Sequence, residues 1–190
     1  MNERSEKGKL IVITGPSGVG KSSIVSEVRR RTDAEFSVSA TTRKPRPGER
    51  DEVDYYFIDR DTFGRMVDAG EMLEWAEVFG QCYGTPAAPV LEAVSGGKKV
   101  ILEIDVQGGV QVARKVPDAT FILIAPPNMT ELKDRLTGRG SETQQQIDKR
   151  LGEAENELRI ARESGVYTHE IINDDLETAI QKVVVAINQE

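Results

Sequence analysis

The stretch Leu10-Ile-Val-Ile-Thr-Gly15-Pro-Ser-Gly-Val-Gly20-Lys21-Ser22 decides the fold of this chain. Its second part, residues 15–22, matches the P-loop pattern G-x-x-x-x-G-K-[ST] at every specified position. An apolar run precedes the loop, and apolar residues at helical spacing follow it at Ile24, Val25 and Val28. This strand–loop–helix order predicts a phosphate-binding turn, because glycines let successive backbone N–H groups point at phosphate oxygens.

The loop also carries the side chains that a nucleoside triphosphate needs. Lys21 can reach the β- and γ-phosphates, and the Ser22 hydroxyl can ligate Mg²⁺. A glycine-rich turn without a ligand would not need these two residues beside it. We therefore predict that a nucleotide is bound by Gly15, Pro16, Ser17, Gly18, Val19, Gly20, Lys21 and Ser22.

Length and composition narrow the class of protein. The 190 residues suit one domain, or one core with insertions, and 38 % hydrophobic content is typical of a globular chain. The apolar runs are shorter than the roughly 20 residues of a membrane-spanning helix. The chain has one cysteine, Cys82, so an internal disulfide is excluded. It has one histidine, His169, which argues against a histidine metal cage and a Ser-His-Asp relay.

Charge and the start of the chain predict where the protein works. A formal net charge of −7 argues against a nucleic-acid binder, which usually presents a basic face. Residues 1–8 form a charged tail without the apolar centre of a secretory signal. We therefore expect a cytoplasmic protein without nucleic-acid or membrane partners, and the oligomeric state stays open between a monomer and a homo-oligomer.

Apolar runs alternate with helical patterns, which predicts an α/β fold with a parallel sheet flanked by helices. The predicted core strands are residues 10–14, 99–105, 120–125 and 170–173. Two attachments interrupt this core. We divide residues 9–187 into a core of residues 9–36, 96–127 and 151–187, an insertion at 37–95, and a lid at 128–150.

Local signals give the attachments an expected structure. The insertion reads as a small, mostly antiparallel sheet with strands near residues 36–39, 54–58 and 73–79 and a turn at Gly80-Gln81. In the lid, a helix starts at Asn128-x-x-Glu131 and stops at Gly138-Arg-Gly140. A second helix starts at Ser141-x-x-Gln144 and ends near Gly165. A last helix starts at Asp174 or Asp175, with a predicted buried stripe of Leu176, Ala179, Ile180, Val183, Val184 and Ile187.

Two acids close the predicted strand 99–105. Ligands bind at the carboxyl ends of strands in open α/β sheets, and strand alternation sends Glu103 and Asp105 to one face. Either carboxylate could hold a magnesium-bound water or face the phosphoryl acceptor. The residues themselves do not divide these roles.

A basic loop in the insertion suggests a second phosphate site. Arg43 and Arg46 lie three apart, and arginines grip phosphate through forked, charge-assisted hydrogen bonds. Tyr55 and Tyr83 could add hydroxyl donors. A solvated basic loop with core tyrosines explains these four residues equally well.

An ordered set of motifs is similar to the guanylate kinase family over nearly the whole chain. Beside the P-loop, the set is Phe36-Ser-Val-Ser-Ala-Thr-Thr-Arg-Lys-Pro-Arg-Pro-Gly-Glu49, Asp54-Tyr-Tyr-Phe57, Glu74-Trp75, Tyr83-Gly-Thr85, Ile104-Asp-Val-Gln-Gly108, Ile124-Ala-Pro-Pro127, Arg135-Leu-Thr-Gly-Arg-Gly140 and Ile172-Asn-Asp-Asp175. The resemblance implies a P-loop kinase core, a GMP-binding insertion and a helical lid. It implies phosphoryl transfer from ATP to GMP, and to dGMP as well, with Mg²⁺ as cofactor.

The resemblance also implies roles for individual residues. It assigns Ser39, Glu74 and Thr85 to guanine, and Arg43, Arg46, Tyr55 and Tyr83 to the GMP phosphate. Glu103 and Asp105 match an acidic pair near the base and the metal, and we expect Ser22 and, through water, Asp105 at the metal. Asn173 matches a position near the adenine of ATP.

Charge neutralisation is the expected basis of catalysis. The phosphate of GMP is already an anionic nucleophile, so no general base is needed. The cations expected to collect on the transferred group are Lys21, Arg43, Arg135, Arg139 and Arg150.

Three other functions are weighed against this one. Another nucleoside-monophosphate kinase would share the chemistry but not the base pocket. A guanylate-kinase-like domain that binds phosphorylated peptides usually has a degraded P-loop, and this loop is intact. A regulatory NTPase switch fits the P-loop but not the arginine–tyrosine insertion.

Overall fold

The computed structural model describes residues 8–138 and 143–189. The strands, in chain order, are β1 (Lys9–Thr14), β2 (Glu35–Phe36), β3 (Ala40–Thr41), β4 (Tyr56–Phe57), β5 (Met72–Val78), β6 (Gln81–Pro86), β7 (Lys99–Glu103), β8 (Thr120–Ala125) and β9 (His169–Ile172). The helices are α1 (Lys21–Arg31), α2 (Arg60–Asp68), α3 (Ala87–Ser95), α4 (Val106–Lys115), α5 (Met129–Thr137), α6 (Gln144–Ser164) and α7 (Leu176–Asn188).

A parallel five-stranded sheet, in the order β2-β7-β1-β8-β9, forms the centre of the molecule. Strand alternation sends Ile11 and Ile13 of β1 to the side of α1 and α7, and Leu10 and Val12 to the side of α3 and α4. The fully apolar run of β1 is explained by this double coverage, because both faces of the strand are buried. The predicted α/β fold is confirmed.

A second sheet, in the order β4-β3-β6-β5, forms the insertion. Its β3–β6 and β5–β6 pairs are antiparallel and its β3–β4 pair is parallel, so the mostly antiparallel prediction is confirmed. Phe63, Met72 and Cys82 pack into a small core under this sheet. The predicted strand at 36–39 is wrong, because Phe36 pairs with β7 in the central sheet and the insertion's first strand is β3.

The hairpin between β5 and β6 turns at Phe79-Gly80, one residue before the predicted turn. Both residues have positive φ, 50° and 75°, as a two-residue turn matching the twist of its strands requires. Phe79 is 93 % exposed at the hairpin tip. After β6, α3 packs through Val90 on the central sheet, although it falls within the predicted insertion 37–95.

The helix starts follow their capping residues. Asn128 accepts the Glu131 N–H at 2.9 Å, as predicted. The predicted restart at Ser141-x-x-Gln144 is wrong: Ser141 lies outside the described residues, and the capping box joins Thr143 and Gln146. The same sequence pattern occurs twice, two residues apart, and the helix begins at the second copy.

The last helix begins after Asp175, which accepts the Thr178 N–H at 2.8 Å. Its predicted stripe is wrong at Leu176, which is exposed in the first turn, and Val184 is only partly buried, while Ala186 is buried. At the end of this helix the Lys9 ammonium donates to the backbone carbonyl of Gln189. The two ends of the described chain therefore lie side by side. Within the described ranges, no helix combines the length and apolar character needed to cross a membrane.

Candidate active site

The P-loop lies between β1 and α1, and two of its glycines are required by close contacts. A Cβ on Gly15, where φ is 146°, would lie 2.2 Å from the Ile124 carbonyl oxygen. A Cβ on Gly20, where φ is 100°, would lie 2.6 Å from Nδ2 of Asn173. Neighbouring chain segments therefore exclude side chains at both positions.

Two predicted residues hydrogen-bond to the loop backbone at Val19. The buried Asn173 donates from Nδ2 to the Val19 carbonyl at 2.7 Å. Arg135 donates to the Asn173 carbonyl at 2.7 Å and to the Val19 carbonyl at 3.4 Å. The side-chain amide predicted beside adenine is thus engaged with the loop backbone.

Lys21 is bound by its own loop. Its ammonium donates to the carbonyls of Gly15 and Pro16, the latter at 3.1 Å. Burial lowers the pKa of Lys21, and the carboxylates of Glu103, Glu157 and Asp105 act in the opposite direction. Glu157 of α6 was not among the predicted site residues, and burial raises its pKa. In the sequence it lies between Ala154 and Leu158, two residues of the buried face of α6, and this position could have indicated it.

The two predicted acids occupy different structural positions. Glu103 ends β7 and accepts the Ser22 hydroxyl at 2.6 Å. We predicted that this strand continues to residue 105, and this is wrong. Asp105 instead caps α4, where its carboxylate accepts the Gly108 N–H at 2.7 Å. The structure therefore brings Glu103 to Ser22, and the metal role expected for Ser22 and Asp105 stays a prediction.

A buried carboxylate–hydroxyl pair joins β5 and β6. Glu74 and Thr85 are paired across the two strands, and the Thr85 hydroxyl donates to Glu74 Oε1 at 2.7 Å. Glu74 is 6 % exposed, and burial raises its pKa to about 7 against the opposing effect of the Thr85 hydrogen bond. Ser39 lies just before β3, where its carbonyl accepts the Tyr56 N–H at 2.9 Å.

The predicted phosphate site in the insertion assembles around Arg43. Arg43 donates to both carboxylate oxygens of Glu49 at 2.9 Å, and its guanidinium lies 5.5 Å from the Tyr55 ring centre. Tyr55 and Tyr83 meet edge to face at 6.2 Å. The exposed Arg46 contributes a backbone N–H to Glu49 at 2.7 Å. Hydrogen bonding to Glu49 raises the pKa of Arg43.

Glu49 was absent from the predicted site, although it closes the Pro47-Gly48-Glu49 turn after the arginines. Of the other predicted cations, Arg150 lies partly buried on α6, and Arg139 lies outside the described residues. Within residues 8–138 and 143–189, no three His, Cys, Asp or Glu side chains are grouped to hold a metal by themselves.

Comparison with known proteins identifies the family. The guanylate kinase family model matches residues 7–190. The chain is 47 % identical over 179 residues to the guanylate kinase of Trichodesmium erythraeum, covering 94 % of this chain and 95 % of that one. It is 48 % identical over 187 residues to that of Nocardia farcinica, covering 97 % and 95 %.

A solved structure agrees with these sequence matches. The crystal structure of guanylate kinase from Anaplasma phagocytophilum aligns with a TM-score of 0.71 and 31 % identity, covering 94 % of this chain and 83 % of that one. The P-loop after β1 and the buried carboxylate–hydroxyl pair of the second sheet agree with these full-length matches, and the chain belongs to the guanylate kinase family.

Proposed function

We propose how this chain, a guanylate kinase, transfers the γ-phosphoryl group of ATP to GMP to give ADP and GDP. The observation that carries the proposal is the buried Glu74–Thr85 pair, which sits in the insertion of a P-loop fold. Family membership supports GMP as the acceptor over the other monophosphates, and over a peptide-binding module or a regulatory switch.

Glu74 recognises guanine in this proposal. Guanine presents the N1–H and N2–H donors side by side, and one carboxylate accepts both. Adenine has an acceptor at N1, so the carboxylate would meet a lone pair. The hydrogen bond from Thr85 orients the Glu74 carboxylate, and Ser39 completes the base pocket. Polar pairing of this kind discriminates by about 10⁴–10⁵.

The phosphate of GMP binds at Arg43, Arg46, Tyr55 and Tyr83. A guanidinium has five N–H donors, so Arg43 can stay paired with Glu49 and still donate to a phosphate. Glu49 and the ring of Tyr55 fix the plane of that guanidinium. The dGMP molecule should also be accepted, since none of these residues is assigned to the ribose.

The triphosphate of ATP binds along the P-loop backbone, with Lys21 at the β- and γ-phosphates. Ser22 and Glu103 offer hard oxygen donors 2.6 Å apart, which suit Mg²⁺, a cation that keeps several of its waters. We place Ser22 as the direct ligand and Glu103, with Asp105 beside it, as acceptors for metal-bound water. When bound, Mg²⁺ supplies charge neutralisation at the β- and γ-phosphates.

This chain's cations do the rest of the chemistry. The GMP phosphate attacks as an anion, so the residues must position it and offset repulsion between two anions. Lys21 and Arg43 hold the two phosphate groups, and the lid arginines Arg135, Arg139 and Arg150 are assigned to the transferred group. The division into core, insertion 37–95 and lid 128–150 is part of the same proposal.

The proposal places the enzyme in the cytoplasm, where a single reduced cysteine is stable.

The test of acceptor specificity is ADP formation with GMP, dGMP, AMP, UMP or dTMP as acceptor, for the unaltered protein and for Glu74→Gln. We expect turnover with GMP and dGMP, and a KM for GMP raised about 100-fold or more in Glu74→Gln, with the KM for ATP nearly unchanged. Equal loss for both substrates would contradict the role of Glu74.

A further inference from the structure

Helix α4 runs beside β5, an edge strand of the insertion's sheet. Over the part of the chain that the structure describes, β5 pairs with β6 on one side only. Backbone groups on the open side of an edge strand need another partner or water. At Trp75 these groups face α4.

Gln111 of α4 supplies both partners that Trp75 lacks. Its Oε1 accepts the Trp75 N–H at 3.2 Å, and its Nε2 donates to the Trp75 carbonyl at 3.0 Å. One side-chain amide thus replaces one residue of a neighbouring strand. Four residues on, the Lys115 ammonium donates to the Met72 carbonyl.

These contacts bracket Glu74, which lies between Met72 and Trp75 on β5. Gly108, Gln111 and Lys115 are spaced by three and four residues, so they share one face of α4. A Cβ on Gly108 would lie 2.9 Å from Oε2 of Glu74. The face of α4 that holds the strand therefore also makes room for the carboxylate.

We propose that Gln111 is a positioning residue for GMP: by fixing β5 at Trp75, it holds the Glu74 carboxylate where guanine binds. This rests on the role proposed above for Glu74. The pairing register between β5 and β6 shifts between Met72 and Glu74. Regular pairing with β6 is therefore interrupted next to Glu74, and the contact with α4 adds a second support for this part of the strand. Misplacement of a binding group by about 1 Å can cost on the order of 100-fold.

The experiment compares Gln111→Ala with Gln181→Ala, a matched control whose amide donates to the Glu177 carboxylate on the surface of α7 at 3.2 Å. Gln111→Ala should raise the KM for GMP about tenfold and leave the KM for ATP and the kcat within about twofold. Gln181→Ala should change neither KM. A KM for GMP within about twofold of the unaltered protein, or equal increases for GMP and ATP, would overturn the proposal.

Trp75 is the chain's one tryptophan, so its fluorescence reports directly on the contact. Trp75 is 40 % exposed, and we expect acrylamide to quench its indole more strongly in Gln111→Ala. Hydrogen exchange at the Trp75 N–H should also be faster in that variant. Unchanged exchange would overturn the proposal, because Gln111 would then not hold the strand.

Two further variants complete the design. Gln111→Glu keeps the volume but turns an acceptor toward the Trp75 carbonyl, so it should raise the KM for GMP even if the alanine variant fails to fold. Glu74→Gln separates the two proposals. A high KM for GMP in Glu74→Gln with a normal one in both Gln111 variants would overturn only the inference about Gln111. A normal KM in Glu74→Gln would overturn the guanine assignment, and the inference with it.

Discussion

A carboxylate that accepts two hydrogen bonds from a base must be ionised, and Glu74 ionises only near neutral pH. Its side chain lies between two strands at 6 % exposure, and this burial raises its pKa from 4.5 to about 7. At neutral pH a fraction of the molecules therefore carries Glu74 in its protonated form. A protonated carboxyl group cannot accept both of the hydrogen bonds that guanine would donate.

The first prediction concerns the pH dependence of GMP use. We expect kcat/KM for GMP to fall about tenfold between pH 8 and pH 6, because protonation of Glu74 removes the acceptor. The measurement is an initial-rate series at saturating ATP. The phosphate of GMP itself titrates near pH 6, so Glu74→Gln, which lacks only the titration of Glu74, is the control. Identical profiles for both proteins would contradict the assignment.

The same shift predicts a change in stability. A raised carboxyl pKa means that the contribution of Glu74 is most favourable below its ordinary value of 4.5 and is lost as the pH rises through about 7. Glu74→Gln should therefore stabilise the protein without nucleotide at pH 8, by at most about 3 kcal/mol, and by much less at pH 4.5. Urea unfolding at the two pH values measures this, and a gain that does not depend on pH would refute it.

The contact between Gly20 and Asn173 gives a third prediction. Gly20→Ala should destabilise the protein by about 2 kcal/mol, since its Cβ would meet Asn173 Nδ2 and φ is positive. In the double variant with Asn173→Ala, the contact is gone. The double variant should therefore be destabilised by about 1 kcal/mol less than the sum of the two single variants.

Denaturant unfolding of the four proteins in this cycle provides the measurement. Gly152→Ala is the control: a Cβ there meets nothing within 4 Å in the interior of α6, so this change should be neutral or stabilise by about 0.5–1 kcal/mol. Strict additivity of Gly20→Ala and Asn173→Ala would show that the two residues do not interact.

At the scale of elements, α6 depends on its first turn. It runs for 21 residues, carries Arg150 and Glu157, and starts with a complete capping box between Thr143 and Gln146. The box satisfies N–H groups that have no partner within the helix. Stability of this helix should therefore respond to Thr143 more than to other exposed threonines.

The fourth prediction follows from that cap. Thr143→Ala should lower the free energy of unfolding by about 1 kcal/mol, because the side-chain acceptor for the Gln146 N–H is lost. Thr137→Ala, near the end of α5, removes only a bond within the helix to the Lys133 carbonyl and should change stability by less than about 0.5 kcal/mol. Thermal unfolding compares them, and equal shifts would exclude the capping role.

The boundaries of elements show where sequence reasoning stops. The strand Thr120–Ala125 matches its prediction at both ends, because its apolar run is bounded by polar and proline residues. The strand Lys99–Glu103 is two residues shorter than predicted, because Asp105 is the N-cap of the following helix. The alternation of apolar residues along the strand does not show where that helix begins. Local pattern specifies burial well, but competition between a strand end and a helix cap is decided by tertiary packing.

Across the whole molecule, the parallel core and the second, mostly antiparallel sheet are confirmed, whereas the roles assigned to individual site residues stay predictions. Motif spacing and family resemblance located the P-loop, Glu74 and Arg43. Glu49, Glu157 and Gln111 were missed because each acts through a residue distant in sequence or through the backbone. The orientation of Asn173 toward Val19 also depends on the packing of β9 beside the loop.

The contact of Lys9 with the Gln189 carbonyl makes the fold suitable for circular permutation. A short linker could join residue 189 to residue 8, and the chain could open at the exposed Phe79-Gly80 turn without changing any neighbour in either sheet. In such a protein β6 would be the first strand and β5 the last. Glu74 and Thr85 would then come from opposite ends of the polypeptide, so the guanine pocket proposed for them would form where the two ends meet.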